Sequence, residues 1–451
     1  MKRRNFLANT ALIGAGIPLG VVPVALSSCS SNGQTVASKT YTPEELGMYS
    51  FVDIAPDGKP VKAALVGCGD RGTGAATQFL SAGPNVSIIA LADIFPDRQA
   101  TCRQILKEKF NNEVADANCF LGFDAYKKVL AMDDIDLVLL CTPTHFRPEQ
   151  FKAAVDAGKH VFMEKPCAVD PTGIRTVIAA AKIATTKGLT VVTGNQRRHS
   201  KAYWEAYVQV RNGAIGDIIS GSAHWDQGAW WNKRKRPEWS DMEYNIRNWF
   251  NIKWLSGDHI LDQAIHNIDI VTWFMGVLPV RAAGFGGRAQ RLTGDIFDFF
   301  SVDYYYENNQ KMLATARQID DCENNISEQV YGTKGIFTTK DGVHLEDYNG
   351  NVIWAYDYEA HPEKNHYNQE HIHLVESIRL NKKINQAEDL AYSTLVAILG
   401  REAAYTGKAI TWEEIRSSNL RYGPETYALG PIPDYREGIA PVPGKAPNAP
   451  M

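Results

Sequence analysis

The sequence predicts an α/β fold, a buried parallel sheet followed by a second domain around a mixed sheet. Three observations carry that prediction. From Val61 to about residue 200, short and continuously apolar runs alternate with helix-length segments. Several of these runs end in glycine, proline or polar residues, the pattern of strands whose carboxyl ends line a ligand cleft. After about residue 215 the runs lengthen and alternate apolar with polar residues, which reads as half-buried strands.

Residues 1–29 read as an export signal: Lys2-Arg3-Arg4-Asn5-Phe6-Leu7, a weakly hydrophobic stretch over 8–26, then Leu26-Ser27-Ser28-Cys29. Twin arginine followed by Phe-Leu resembles the signal of the twin-arginine route, and the Leu-Ser-Ser-Cys ending resembles a lipobox with Cys29 as the lipid-bearing residue. The plainer reading is an ordinary secretory signal or a short anchor. Gly14, Gly16, Gly20 and two prolines make a poor permanent span, so the expected membrane link is the lipid alone, on an exported, periplasmic protein.

Residues 30–60 form a polar, turn-rich tether. The first domain, 61–200, carries predicted strands at 61–66, 86–92, 135–141, 160–163 and 189–193. Between them lie a small-residue helix to about residue 82, a helix over 148–157 closed by Gly158, and one opened by Asp170-Pro171 that runs to Gly188. The second domain, 201–420, carries predicted strands at 218–225, 280–289, 297–306 and 312–318, a strong helix near 257–275 and another over 387–405. Residues 421–451 form a Pro/Gly-rich tail.

Composition narrows the function classes. With 451 residues, 44% hydrophobic and 22% charged, the chain can bury a core and is neither disordered nor a disulfide scaffold. A net charge of −4, and no long run of Lys and Arg, argue against a nucleic-acid or anionic-membrane binder. Besides Cys29, the six cysteines (Cys68, Cys102, Cys119, Cys141, Cys167, Cys322) show no C-x-x-C pair, so no zinc site or disulfide framework is signalled.

Gly67-Cys68-Gly69-Asp70-Arg71-Gly72 is G-x-G-x-x-G directly after a strand and opening a helix. The first glycine permits a tight turn, the second lets backbone approach a diphosphate, and the third lets helix and strand pack. Asp93 ends the second strand 21 residues on, where a carboxylate accepts hydrogen bonds from an adenosine ribose. An acid there favours NAD. NADP is the second reading, with Arg71 or Arg98 to take the extra phosphate.

Glu164-Lys165-Pro166 follows the fourth strand, which aims a lysine at the cleft. On the predicted 257–275 helix, Asp262, His266 and Asp269 share one face, and a carboxylate one turn from an imidazole suits a general base acting on a hydroxyl. A capped polar stripe is the structural alternative. His259, Asp262 and His266 lack a thiolate or an H-E-x-x-H pattern, so no metal is expected. His371-Ile372-His373 reads as one cleft residue and one exposed residue.

These motifs, with Thr142-Pro143-Thr144-His145 and Gly332-Thr333-Lys334-Gly335, together resemble the Gfo/Idh/MocA oxidoreductases, the glucose–fructose oxidoreductase and inositol dehydrogenase family, over 61–412. The resemblance implies a Rossmann domain plus a domain with a large, mostly antiparallel open sheet, often packed sheet to sheet in homo-oligomers. It implies Lys165, Asp262 and His266 as the catalytic trio, with His266 taking a hydroxyl proton from a sugar or cyclitol. The cofactor would meet Gly67, Gly69, Asp70, Arg71, Gly72, Asp93, Thr142, Pro143, His145, Glu164, Lys165 and Gln196. The small-molecule carbohydrate would meet Arg197, Trp225, Arg247, Asp262 and His266.

Trp225, Trp230, Trp231, Trp239, Trp249 and Trp254 crowd one stretch with Arg234, Arg236 and Arg247, which reads as a carbohydrate platform or as core packing. An exported enzyme meets no free nicotinamide pool, so the cofactor is expected to be held tightly. The functional expectation is an oxidoreductase for a sugar, glycoside or cyclitol hydroxyl. One alternative is an NAD-dependent glycosidase that works by transient C3 oxidation and elimination; the other is a non-catalytic carbohydrate-binding lipoprotein.

Overall fold

The computed structural model describes residues 40–433 and 438–444. The stretch read as an export signal, its Cys29 and the first part of the expected tether lie outside the described residues, as does part of the tail. Among the described residues no helix is long and apolar enough to cross a membrane.

The first sheet has six strands, β1 (Val61–Val66), β2 (Val86–Asp93), β3 (Cys119–Leu121), β4 (Leu137–Leu140), β5 (His160–Met163) and β6 (Val191–Thr193). All neighbours pair in parallel, in the order β3-β2-β1-β4-β5-β6. Helices α1 (Asp70–Leu80), α2 (Pro96–Phe110), α3 (Ala125–Leu130), α4 (Arg147–Asp156) and α5 (Pro171–Thr186) connect them. Strand order reverses between β1 and β4, so the crevice beyond their carboxyl ends is the expected ligand site. The strands are apolar on both faces because both are covered: Leu65 and Leu139 pack with α1, and Val138 and Met163 with α4 and α5.

The rest of the chain supplies helices α6 (Lys201–Arg211), α7 (Asp241–Arg247), α8 (Lys253–Ser256), α9 (His259–Asp262), α10 (Ile265–Met275), α11 (His366–Leu380), α12 (Ala387–Thr406) and α13 (Trp412–Ser417) and the second sheet. Its strands are β7 (Ile218–Gln227), β8 (Arg281–Gly287), β9 (Phe299–Tyr305), β10 (Lys311–Gln318), β11 (Asn325–Gly332), β12 (Gly335–Thr338), β13 (His344–Asp347), β14 (Val352–Ala355) and β15 (Ile410–Thr411). They lie in the order β14-β13-β12-β11-β7-β10-β9-β8-β15, antiparallel throughout except for β7 beside β10. Inward residues such as Val302, Tyr304 and Ala314 share one core with α10 and α12.

Two features depart from the sequence expectation. Residues 40–60 pack instead of hanging as a tether: Tyr49 stacks on His199, Ser50 Oγ donates to Glu376 at 2.7 Å, and Ala55 N–H donates to the Ala82 carbonyl at 2.8 Å. The helix α11, inside the stretch assigned to the second domain, covers the first sheet, its Ile372 and Val375 packing with Ala75 and Phe79 of α1. Apolar periodicity identifies a helix but not which sheet it covers.

Candidate active site

The predicted 257–275 helix is broken, and the break builds the site. The His259 carbonyl accepts from both Gln263 N–H (2.8 Å) and Ala264 N–H (3.1 Å), which interrupts the regular ladder. His266 N–H turns to the Gln263 carbonyl, and the Asp262 carbonyl instead accepts a short hydrogen bond from Lys165 Nζ. A lysine just past the end of β5 is thereby tied to the last residue of α9.

The cleft is a cavity of about 790 Å³ at the carboxyl ends of β1, β2, β4 and β5. It is lined by Gly67, Gly69, Asp70, Arg71 and Gly72, by Asp93, Thr142, Pro143, Glu164 and Lys165, and from the second domain by Trp225, Asp262 and His266. Gly67 has φ +94°, open to glycine at low cost. A Cβ on Gly72 would stand 1.8 Å from the Gly67 carbonyl oxygen. Asp93 accepts Cys68 N–H at 2.6 Å and Phe95 N–H at 2.8 Å; burial pushes its carboxyl up and these backbone bonds offset part of the shift. Glu164 takes a short ion pair from Arg71, which also reaches Glu370 at 2.9 Å.

Burial pulls the Lys165 ammonium below its ordinary range, against the opposing pull of Asp262 and Glu164. Burial, then the positive charges of Lys165 and Arg197, hold the His266 imidazole well below its ordinary value. His266 is therefore neutral at pH 7, the form that accepts a proton. The Trp225 ring lies 5.3 Å from it, centroid to centroid. Asp262 Oδ2 accepts from Gln263 Nε2 at 2.9 Å.

Other expected site residues are placed elsewhere. Asp269 does not join Asp262 and His266: it receives Arg198 in two hydrogen bonds of 2.8 Å and Ser393 Oγ at 2.5 Å, partners that hold it off the cavity wall. His145 is bonded to Tyr427 Oη at 2.6 Å and packed on Trp254, off the cavity wall. Gln196 donates to Tyr367 Oη at 3.1 Å behind the lining, and Arg197 is held by Glu328 and Asn267 with its guanidinium 5.6 Å from the Trp225 ring. Arg247 pairs with Glu243 and Asp97 outside the cavity. Neither His371 nor His373 is exposed or in the cleft; His371 packs on Phe162 and His373 bonds His199 at 2.7 Å. Trp230, Trp231 and Trp249 line the cavity, whereas Trp239 and Trp254 do not.

Sequence reasoning missed Arg147, Gln263 and Tyr367, all on the cavity wall. Arg147 stands two residues past the Thr142 to His145 motif and was within reach of it. Tyr367 comes from α11, nearly 300 residues from the Arg71 guanidinium that sits 5.2 Å from its ring centroid, and carries no local signal.

The oxidoreductase family model with an NAD-binding Rossmann fold matches residues 61–193, and the GFO/IDH/MocA C-terminal domain matches 203–338. The chain belongs to the Gfo/Idh/MocA family. Its first domain is an NAD-binding Rossmann domain, and the glycine turn, the cavity-lining Asp93 at the end of β2 and the size of the cavity fit that cofactor.

A glycosyl hydrolase family 109 protein of Streptomyces coelicolor is 26% identical over 49% of this chain and 45% of its own length. A 2,7-anhydro-N-acetylneuraminate hydratase of Escherichia coli is 29% identical over 34% of this chain and 37% of its own. The matched stretches thus span less than half of those two relatives. Among solved structures, scyllo-inositol dehydrogenase from Lactobacillus casei with NAD(H) and scyllo-inositol shares the fold, with TM-score 0.59 and 22% identity over 78% of this chain and 99% of that one.

Proposed function

We propose that the protein is an NAD-dependent oxidoreductase acting on a hydroxyl-bearing carbon of a sugar, glycoside or cyclitol, with its cofactor tightly held. The observation that carries this reading is the single cavity wall joining the glycine turn and Lys165 of the first domain to His266 of the second. Bound NAD supplies the acceptor for the hydride that leaves the substrate carbon. His266, neutral at rest, takes the hydroxyl proton on a ring nitrogen. Lys165 Nζ, oriented by the Asp262 carbonyl, donates a hydrogen bond to the same oxygen. Asp262 supplies a carboxylate beside that lysine, and the indole faces of Trp225, Trp230 and Trp231 offer flat apolar surface to a pyranose ring.

A second reading, redox-neutral cleavage of a glycoside, is favoured by the glycosyl hydrolase family 109 relative. Incubation with aryl glycosides, free sugars and cyclitols separates the two. Net accumulation of reduced nicotinamide supports the dehydrogenase. Aglycone release without such accumulation assigns the glycosidase, and neither response from NAD-loaded protein refutes both.

The sequence around Cys29 supports export and lipid attachment; Cys29→Ala is expected to move the protein from the membrane fraction to the soluble one. Exposed Phe285 and Leu313 on the outer face of the second sheet support a homo-oligomer, which light scattering reads directly.

A further inference from the structure

Residues 228–240 join β7 to α7 without helix or strand, and Trp230, Trp231, Asn232 and Lys233 among them face the cavity that holds the glycine turn. The segment is firmly seated. Lys233 N–H donates to Asn248 Oδ1 at 2.8 Å, Asn251 Nδ2 donates to the Trp231 carbonyl at 3.1 Å, and both asparagines are fully buried. Ala229 N–H donates to Asp320 Oδ1 at 2.8 Å. Trp230 and Trp231 pack on Phe250, with ring centroids 5.5 and 5.7 Å apart.

The charge on this segment is unbalanced where it meets the first domain. Burial, then Arg98 and Arg247, pull the Lys233 ammonium below its ordinary range, and Asp70 and Asp97 offset only part of that. Lys235, Arg236 and Arg247 each have a carboxylate partner, whereas among the described residues neither Lys233 nor Arg98 has one within ion-pair distance. Asp70 opens α1, and Arg98 Nη1 lies 2.6 Å from where a Gly69 Cβ would stand. Lys233 Nζ sits over the Trp231 ring, 5.7 Å from its centroid, a contact that leaves its charge unneutralised. Lys233 and Arg98, one from each domain, line the cavity that holds the amino end of α1, where backbone N–H groups and the helix dipole favour a phosphate anion.

We propose that Lys233 pairs with the diphosphate of NAD across the domain boundary, and that residues 228–240 form a fixed strap that makes the cofactor resident rather than exchanged at each turnover. This rests on the assignment of the cavity to NAD. A charge-assisted hydrogen bond lost from a bound diphosphate raises dissociation about 10- to 100-fold.

The test uses the full chain and NAD itself. Protein purified without added nucleotide, passed through gel filtration and then denatured, is expected to release NAD in near-stoichiometric amount. Lys233→Ala is expected to lose its NAD on the same column, with dissociation into excess labelled NAD faster by about 10- to 100-fold, while Lys233→Arg restores retention. Added salt is expected to speed dissociation from the wild type and to act much less on Lys233→Ala, a response that a purely structural loop would not show. Arg234→Ala, exposed and off the cavity wall, is expected to keep its NAD. The proposal is overturned if Lys233→Ala, with unchanged thermal unfolding, releases NAD at the wild-type rate, or if wild-type NAD exchanges freely. Wild-type protein that binds no NAD at any concentration overturns the assignment of the cavity instead.

Discussion

Alanine at Gly72 and alanine at Gly69 should both weaken NAD binding, but only the first should cost stability, although both sit in the same turn. A Cβ on Gly72 would lie 1.8 Å from the Gly67 carbonyl oxygen, 2.9 Å from its carbon and 3.2 Å from Cys141 Cβ. The first two are backbone atoms, and Gly67 has little room to retreat, since its own Cβ position is 2.8 Å from the Cys141 carbonyl. Relief requires the β1–α1 connection to shift by roughly an ångström, and overpacking in a well-packed interior costs about 1–3 kcal/mol, occasionally more.

Gly72→Ala is therefore expected to lose about 3 kcal/mol of stability and to bind NAD at least tenfold more weakly, because the amides at the diphosphate move with the turn. Gly69 has φ −70°, and its Cβ would meet only the mobile end of Arg98. Gly69→Ala is expected to stay within about 0.5 kcal/mol of wild type while binding NAD more weakly, since the methyl group occupies the close-approach surface. Urea unfolding followed by circular dichroism, paired with a fluorescence titration of NAD, measures both quantities. Wild-type stability in Gly72→Ala, or a larger loss in Gly69→Ala, refutes the assignment of roles in the turn.

Three further outcomes follow from the same geometry. The depressed His266 imidazole is required neutral, so kcat/KM should hold its plateau at pH 6.5 and fall only at clearly lower pH, with the alkaline limb from Lys165 below 10.5; an acid limb at 6.5 or above contradicts this. Asp269→Asn leaves the buried Arg198 guanidinium with only the longer 3.7 Å pair to the exposed Asp389 and should cost about 3 kcal/mol of stability with kcat within about threefold; a stable variant with collapsed kcat would return Asp269 to the active site. Burial lowers His145, His160 and His373 to about 4 in the fold, against an ordinary value near 6.5. The unfolded chain then binds more protons between those values, so stability present above pH 6.5 should fall as pH drops toward 4; urea midpoints that stay level from pH 7 to 5 contradict it.

The first sheet was legible because its strands are buried on both faces and read as unbroken apolar runs, with the glycine turn and Asp93 in register behind them. The three-residue β3 escaped notice because it lies half-exposed at the sheet edge with no longer apolar run around it, whereas the equally short β6 was legible within the buried apolar run over 189–193. Lys165 and His266 were legible by motif, but their connection was not. It depends on the helix break at Gln263 and Ala264, where the local sequence contains neither proline nor glycine. Asp269, His145 and Arg197 carry side chains suited to a cleft, and only tertiary partners, Arg198, Tyr427 and Glu328, decide that they are spent elsewhere. The wall supplied by α11 and by residues 230–233 depends on long-range packing, which no sequence window contains.

Rapid mixing of the NAD-loaded protein with single sugars and cyclitols, followed by the absorbance of reduced nicotinamide within one turnover, tests most directly whether Lys165 and His266 flank the reacting carbon. With an accepted substrate, the wild type should reduce its bound NAD in one phase, and Lys165→Ala and His266→Ala should slow that phase by about 100-fold or more with NAD still bound. Reduction at the wild-type rate in either variant would contradict the account.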